Sequence, residues 1–159
     1  MSKIIQITNN PKEVILHCAD TPDYEETDSR FDAIGVQEIR DWHLKRITDG
    51  EPWEDVAYHY IVRRTGAIEA GRPTSVIGAH CKGHNKDSIG VCWVGRSKPT
   101  AYQLNSLKRL HLNIMHLFNI HWDNWSGHSE YNPNKLCPGI DMTMFRLLLA
   151  NNELAAGQT

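Results

Sequence analysis

The chain has 159 residues, 40% of them hydrophobic and 23% charged, with a formal net charge of -2. That length is the size of one domain, and the composition excludes a disordered chain, which would carry few apolar residues and a large net charge. The balanced charge gives no global reason for a nucleic-acid partner, and no apolar run approaches the ~20 residues of a membrane span.

Residues 1–10 are too polar for the core of a signal peptide, which predicts a chain made in the cytosol and held there until something else releases it. Residues 12–18, ending in EVILHC, read as a buried strand. The acidic stretch 20–32, with Pro22, reads as a surface loop. Val36, Ile39, Trp42 or His43, and Ile47 recur at helical spacing, and Asp49-Gly50 with Pro52 end that helix. Residues 58–64 and 67–70, separated by Thr65-Gly66, read as a hairpin. Residues 78–86 form a loop. Residues 88–95 (SIGVCWVG) read as a central strand in which Gly90 allows close backbone approach. Thr100 with Gln103 is a capping box that starts a long helix with the stripe Leu104, Leu107, Leu110, Ile114, Leu117 and Phe118. Residues 121–138 read as irregular. Asp141 caps a last helix with Phe145, Leu148 and Leu149 inward, and residues 155–159 read as a frayed tail. The expectation is an α/β fold of one domain spanning 1–159, a central mixed sheet flanked by about three α-helices.

Four cysteines, Cys18, Cys81, Cys92 and Cys137, include no CxxC pair, so neither a zinc ribbon nor a thioredoxin-type motif is present. Cys18 and Cys92 read as core, and Cys81 as exposed in its loop. Among nine histidines, His111, His116 and His121 recur every five residues. That spacing turns a helix by about 500°, so they share no face and read as surface or boundary residues. His43 reads as structural. Tyr58 and His59 alternate on a strand, so one is expected in the core and the other at a site. His17 at a strand end, with His128 and Cys137 flanking a loop, offers two imidazoles and a thiolate. That is a zinc donor set whose fourth position is left for water, as in catalytic centres. Spacing alone leaves open the plainer reading of a strand-end histidine, a loop histidine and a buried cysteine.

Read together, the motifs carry a resemblance. VILHC (14–18), AYHYIVRRTGAIEAGRP (57–73), GAHCKGHNKDSIGVCWVG (78–95) and GHSEYNPNKLCPGID (127–141) resemble, in order, the opening strand, central hairpin, substrate loop with its strand, and metal loop of the N-acetylmuramoyl-L-alanine amidase type 2 family. That family includes phage amidase-type lysozymes and peptidoglycan recognition proteins. The resemblance implies the recognition-protein-like amidase fold and one zinc ion per chain held by His17, His128 and Cys137. It implies Tyr58 and Lys135 as catalytic residues, and His80 and Asn85 as residues lining the substrate groove. The implied activity is hydrolysis of the amide between N-acetylmuramic acid and L-alanine in peptidoglycan, by a monomeric phage or prophage endolysin released from the cytosol through a holin. A bacterial toxin delivered by a secretion machine would share these features. A peptidoglycan-binding module without catalysis is the other class, and Cys137, Tyr58 and Lys135 argue against it. Some phage relatives also bind their phage RNA polymerase, a partner no motif here identifies.

Two departures stand out: the stretch from His128 to Cys137 is one residue longer than in the phage branch, which loosens the placement of Lys135, and the loop 20–32 is longer and more acidic. Glu130 is either an acid–base residue or a surface glutamate. Trp93 is expected to pack, and Trp125 either to pack or to line the sugar-binding face.

Overall fold

The computed structural model describes residues 9–158. The reading of residues 1–10 as too polar for a signal peptide therefore falls almost wholly outside the described residues, as does Thr159.

Strand β1 (Glu13–Cys18) is buried at every position after Glu13. Continuous apolar character suits a strand covered on both faces. Its neighbours are β6 (Ser88–Trp93) on one side and β7 (Trp125–Gly127) on the other, both parallel to it. Strand β4 (Tyr60–Val62) runs parallel to β6, and β5 (Ile68–Ala70) closes the edge antiparallel to β4 as the expected hairpin. The sheet order is β5-β4-β6-β1-β7.

Strand alternation sends Val14, Leu16 and Cys18 to one face. There they join Val62, Ile89, Val91 and Trp93 beneath α2 (Ala101–Phe118) and α4 (Met142–Ala156). The opposite face carries Ile15 and His17, with α1 (Val36–Leu44) beside it. Ile39 of α1 packs with Val56, Ile61 and Val94 into a smaller cluster. The large core thus lies on one side of the sheet, and the other side is free to build a site.

The capping box that starts α2 forms in both directions, Thr100 Oγ1 accepting from the Gln103 amide and Gln103 Oε1 accepting from the Thr100 amide, each at 3.0 Å. The stripe is only partly as predicted. Leu107, Leu110 and Ile114 are buried, whereas Leu117 is 66% exposed. Polar residues take part of the inner face where they tie strand ends together: Gln103 Nε2 donates to Val62 O and Val94 O. His111 is fully buried, a correction to the surface reading. Its Nε2 lies 2.8 Å from Glu153 Oε1, which also accepts from the Trp122 amide, while the second oxygen holds His121 at 3.2 Å. A partner carboxylate on α4 makes that burial affordable.

Three other expectations are corrected. Helix α1 stops at Leu44, because Asp49 (φ 53°) and Gly50 (φ 82°) form the two-residue turn of a small hairpin, β2 (Ile47–Thr48) and β3 (Glu51–Pro52). Asp-Gly suits such a turn because both central residues take positive φ. The segment 121–138 is irregular only after residue 131: before that come a 3-10 turn at Trp122–Asn124, then β7, then the one-turn helix α3 (His128–Tyr131), whose inclusion brings the α-helices among the described residues to four. Elements this short leave no periodicity to read. Finally, α4 continues to Ala156, past the start of the predicted frayed tail. No helix among the described residues is long and apolar enough to cross a membrane.

Candidate metal centre

β1 ends one residue after His17, and β7 lies alongside with Leu16 in register with Gly127. His128 opens α3 directly after β7, so two short stretches of neighbouring strand deliver two imidazoles side by side, their rings 4.7 Å apart. The loop after α3 folds back, and the Ser129 amide donates to Cys137 O at 2.8 Å. Cys137 Sγ then stands 3.6 Å from His17 Nδ1. One ligand atom from each of His17, His128 and Cys137 lies within 4.8 Å of the others. Spacing alone left open whether these three residues meet; the sheet register brings them together.

The donor set fits zinc. With Zn–N near 2.0–2.1 Å and Zn–S near 2.3 Å, tetrahedral nitrogen and sulfur ligands stand about 3.6 Å apart, as Cys137 Sγ and His17 Nδ1 do. The Cys18 backbone amide donates to Cys137 Sγ at 3.3 Å, which favours charge on that sulfur. Without a cation, the adjoining Cys18 thiol and burial push the Cys137 thiol up; a bound cation reverses that preference. Burial holds His17 well below its ordinary value, with His80 and His128 adding to the effect. Burial and then Lys135 lower His128. Neutral imidazoles are what a metal requires.

His80 and Asn85, predicted to line the groove, have different positions. His80 lines the cleft but is only 6% exposed, with Nδ1 at 2.9 Å from His17 Nε2 and Nε2 at 3.2 Å from Ser88 Oγ. Its ring sits over Gly90, where a β-carbon would approach it to 2.5 Å, so the close approach expected at that glycine is by a side chain. Burial lowers His80 to about 3 and keeps it neutral. Asn85 stands outside the cleft wall. Its Oδ1 accepts from the His80 and Cys81 amides at 2.7 and 2.8 Å, fixing the loop from within. That tie also buries Cys81, which is 2% exposed rather than open to solvent.

Tyr58 lies just before β4 with its ring 5.1 Å from His17 and 5.5 Å from His43. A bend falls at His59, and the pair divides as expected: Tyr58 lines the cleft, whereas His59 is buried away from its lining. His59 is buried, accepting from the Gly90 amide through Nδ1 and bonding Val76 O through Nε2. The Tyr58 phenol is pushed well above its ordinary value by burial, with Cys92 and Cys137 next in effect, so it remains a proton-bearing donor.

His17, His43, Tyr58, His80, His128 and Cys137 share a cleft of about 590 Å³. Lys135 stands exposed on its rim. Arg46, Lys82 and Arg96 also line it, against a single carboxylate, Asp20, which pairs with Arg96 at 2.7 Å. A chain of net charge -2 thus presents a positive site to its ligand. Sequence reading missed the wall made by Arg46, Thr48 and Trp53, and took His43 as structural only; His43 both packs and lines the cleft. The Asp49-Gly50 pair was the available signal for that wall.

The remaining candidates resolve plainly. Glu130 accepts from the Gly127 amide at 2.7 Å and pairs with Arg146 at 2.9 Å, so it clamps α3 to α4 and is not an acid–base residue of the cleft. Trp125 is fully buried and packs against Phe145, as Trp93 packs in the core.

Residues 7–140 match the family model described as N-acetylmuramoyl-L-alanine amidase. The chain is 34% identical over 137 residues to the endolysin of Escherichia phage T7, covering 81% of each protein. It is 33% identical to that of Enterobacteria phage T3 with the same coverage. Peptidoglycan-recognition protein LE of Drosophila melanogaster is 37% identical over 100 residues, 61% of this chain and 27% of that protein. Among solved structures, the N-acetylmuramoyl-L-alanine amidase LysC from Clostridium intestinale superposes with a TM-score of 0.75, covering 94% of this chain and 91% of that one at 23% identity, which speaks for the fold.

Proposed function

The chain belongs to the N-acetylmuramoyl-L-alanine amidase family, and from that premise we propose that it hydrolyses the amide joining N-acetylmuramic acid to L-alanine in peptidoglycan, as a zinc-dependent phage endolysin. The observation that carries the reading is the convergence of one ligand atom each from His17, His128 and Cys137, all within 4.8 Å of one another, in a positively lined cleft. On this reading, His17, His128 and Cys137 hold the ion, and 1–159 act as one amidase domain. When bound there, zinc supplies Lewis acidity and lowers the pKa of a bound water to about 7.

The chain's own residues do the rest. Attack on the amide carbonyl carbon turns its oxygen into an oxyanion. Tyr58, kept protonated by burial, donates a hydrogen bond to that oxygen. Lys135 on the rim places a positive charge beside it. Arg46 and Lys82 draw in a ligand that carries carboxylates, as a peptide stem does. The buried His43 and His80 form part of the wall beside the ligand atoms. On the same reading the protein is made inside the host cell and reaches the wall when the membrane is opened, the route expected of an endolysin.

The test is mass spectrometry of purified peptidoglycan after incubation, with and without a zinc chelator. Release of intact stem peptides beginning with L-alanine, blocked by the chelator and restored by zinc, is the expected result. Binding to the wall with no change in its mass would replace the amidase with a recognition module.

A further inference from the structure

Behind the candidate metal centre runs a chain of hydrogen bonds that ends on backbone carbonyls. His17 Nε2 meets His80 Nδ1 at 2.9 Å, and His80 Nε2 meets Ser88 Oγ at 3.2 Å. Ser88 Oγ lies 2.7 Å from His84 O and 2.9 Å from Asn85 O. All three side chains are buried, His17 and Ser88 to 1% exposure or less, and loop 81–87 is closed over them by Asn85.

The carbonyls set the direction of the whole chain. A carbonyl oxygen only accepts, so the single hydroxyl proton of Ser88 goes to His84 O or Asn85 O. Turned the other way, Oγ would set a lone pair against two carbonyl oxygens at hydrogen-bond distance. The Ser88 lone pair therefore faces His80, and His80 carries its proton on Nε2. Its Nδ1 is then an acceptor, so His17 carries its proton on Nε2. That leaves the His17 lone pair on Nδ1, the atom 3.6 Å from Cys137 Sγ.

We propose that His80 and Ser88 are positioning residues that lock His17 in the Nε2–H tautomer, so that its Nδ1 lone pair points into the metal centre before any ion arrives. This rests on the zinc reading of the site only for its consequence. The tautomers themselves are a property of the metal-free chain. The device explains why a buried histidine and a buried serine occupy the sheet face below the cleft, where an apolar pair would fill the same volume without leaving polar atoms to satisfy. It also explains why β6 has a glycine at position 90: the relay ring needs the space a side chain would take.

The experiment is long-range proton–nitrogen NMR of the histidine rings in metal-free, reduced, 15N-labelled protein, followed by zinc titration against a competing chelator. The expected spectrum shows both His17 and His80 as Nε2–H tautomers. Outer partners of metal-bound histidines are typically worth 10–100-fold in affinity. His80→Leu should therefore weaken zinc binding by about that factor, and His80→Gln, whose amide oxygen can still accept from His17, should recover part of it. Ser88→Ala should leave the fold intact, let His80 sample both tautomers and weaken zinc binding to a smaller degree. A His17 ring protonated on Nδ1 in the wild type would overturn the proposal, as would zinc affinity in His80→Leu within twofold of wild type. The wild-type spectrum decides the tautomers even if a variant fails to fold. A wild type with the predicted tautomers that binds no zinc would retire the zinc reading and leave the relay standing.

Discussion

Tyr58→Phe removes one oxygen from the cleft and little else. The ring contacts with His17 and His43, at 5.1 and 5.5 Å, remain, so His17 keeps its packing support. Burial dominates the hydroxyl's environment, with Cys92 a lesser influence, and sulfur is a weak acceptor. Stability should therefore change by well under ~1 kcal/mol, the scale of an ordinary hydrogen bond. The effect on the reaction is of another size. A preorganised donor aimed at a developing oxyanion is worth about 2.7–4 kcal/mol of barrier, or roughly 100- to 1,000-fold in rate. Because the interaction strengthens only as charge develops on the oxygen, the loss should fall on kcat, with KM nearly unchanged. The assay is the rate of stem-peptide release from purified wall at saturating enzyme-to-substrate ratios, with zinc content and melting temperature measured on the same preparations. A variant with full zinc, an unchanged melting temperature and a rate within about threefold of wild type would refute the oxyanion role. A variant that loses zinc would show instead that the ring is a structural support of His17.

Other perturbations separate the site from the scaffold. Cys137→Ser should fold, bind zinc poorly and release no stem peptide, as read by metal analysis after dialysis; full activity in a zinc-free preparation would refute the metal mechanism. Lys135→Met should keep zinc and slow release by about 100-fold, the scale of losing one oxyanion partner, and the same rate as wild type would move that role elsewhere on the rim. Glu153→Ala strips a carboxylate from His111, His121 and the Trp122 amide. Hydrogen bonds to charged groups are worth about 1.5–3 kcal/mol, and ~1 kcal/mol moves the melting temperature of a chain this size by about 2–4 °C. A fall of roughly 5–10 °C with unchanged activity per zinc is expected, and a melting temperature within 2 °C of wild type would contradict the buried pairing. Acid should also destabilise the fold. Burial lowers His43 from 6.5 to about 4, so below 6.5 the unfolded chain binds a proton that the folded chain refuses. The stabilisation is whole above about pH 6.5 and is lost as pH falls towards 4. At ~1.4 kcal/mol per unit it amounts to at most about 3.5 kcal/mol. His43→Gln should flatten the decline in melting temperature between pH 7 and 4.5, and an equally steep decline would assign it to other groups.

Local chemistry wrote much of this protein into its sequence. The unbroken apolar run before His17 required a strand covered on both faces, and the Thr100–Gln103 pair named the start of α2 because both partners of a capping box lie three residues apart. The metal loop, hairpin and substrate-loop motifs made the family legible at once, and with it the three residues proposed here to hold zinc. What stayed hidden was whatever depends on partners distant in sequence. The burial of His111 follows from Glu153, 42 residues away on another helix. β7 is three residues long and gains its identity only from pairing with β1. His80 sits 63 residues from His17, and no spacing rule predicts that their rings meet or which nitrogen carries the proton. Hydrogen-bond direction is set by a serine held against two carbonyls, and only the closed loop over β6 brings those atoms together. Sequence fixes which groups can bond, because donor and acceptor chemistry belongs to each residue. Tertiary structure decides which of them do, because burial removes the water that would otherwise satisfy them all.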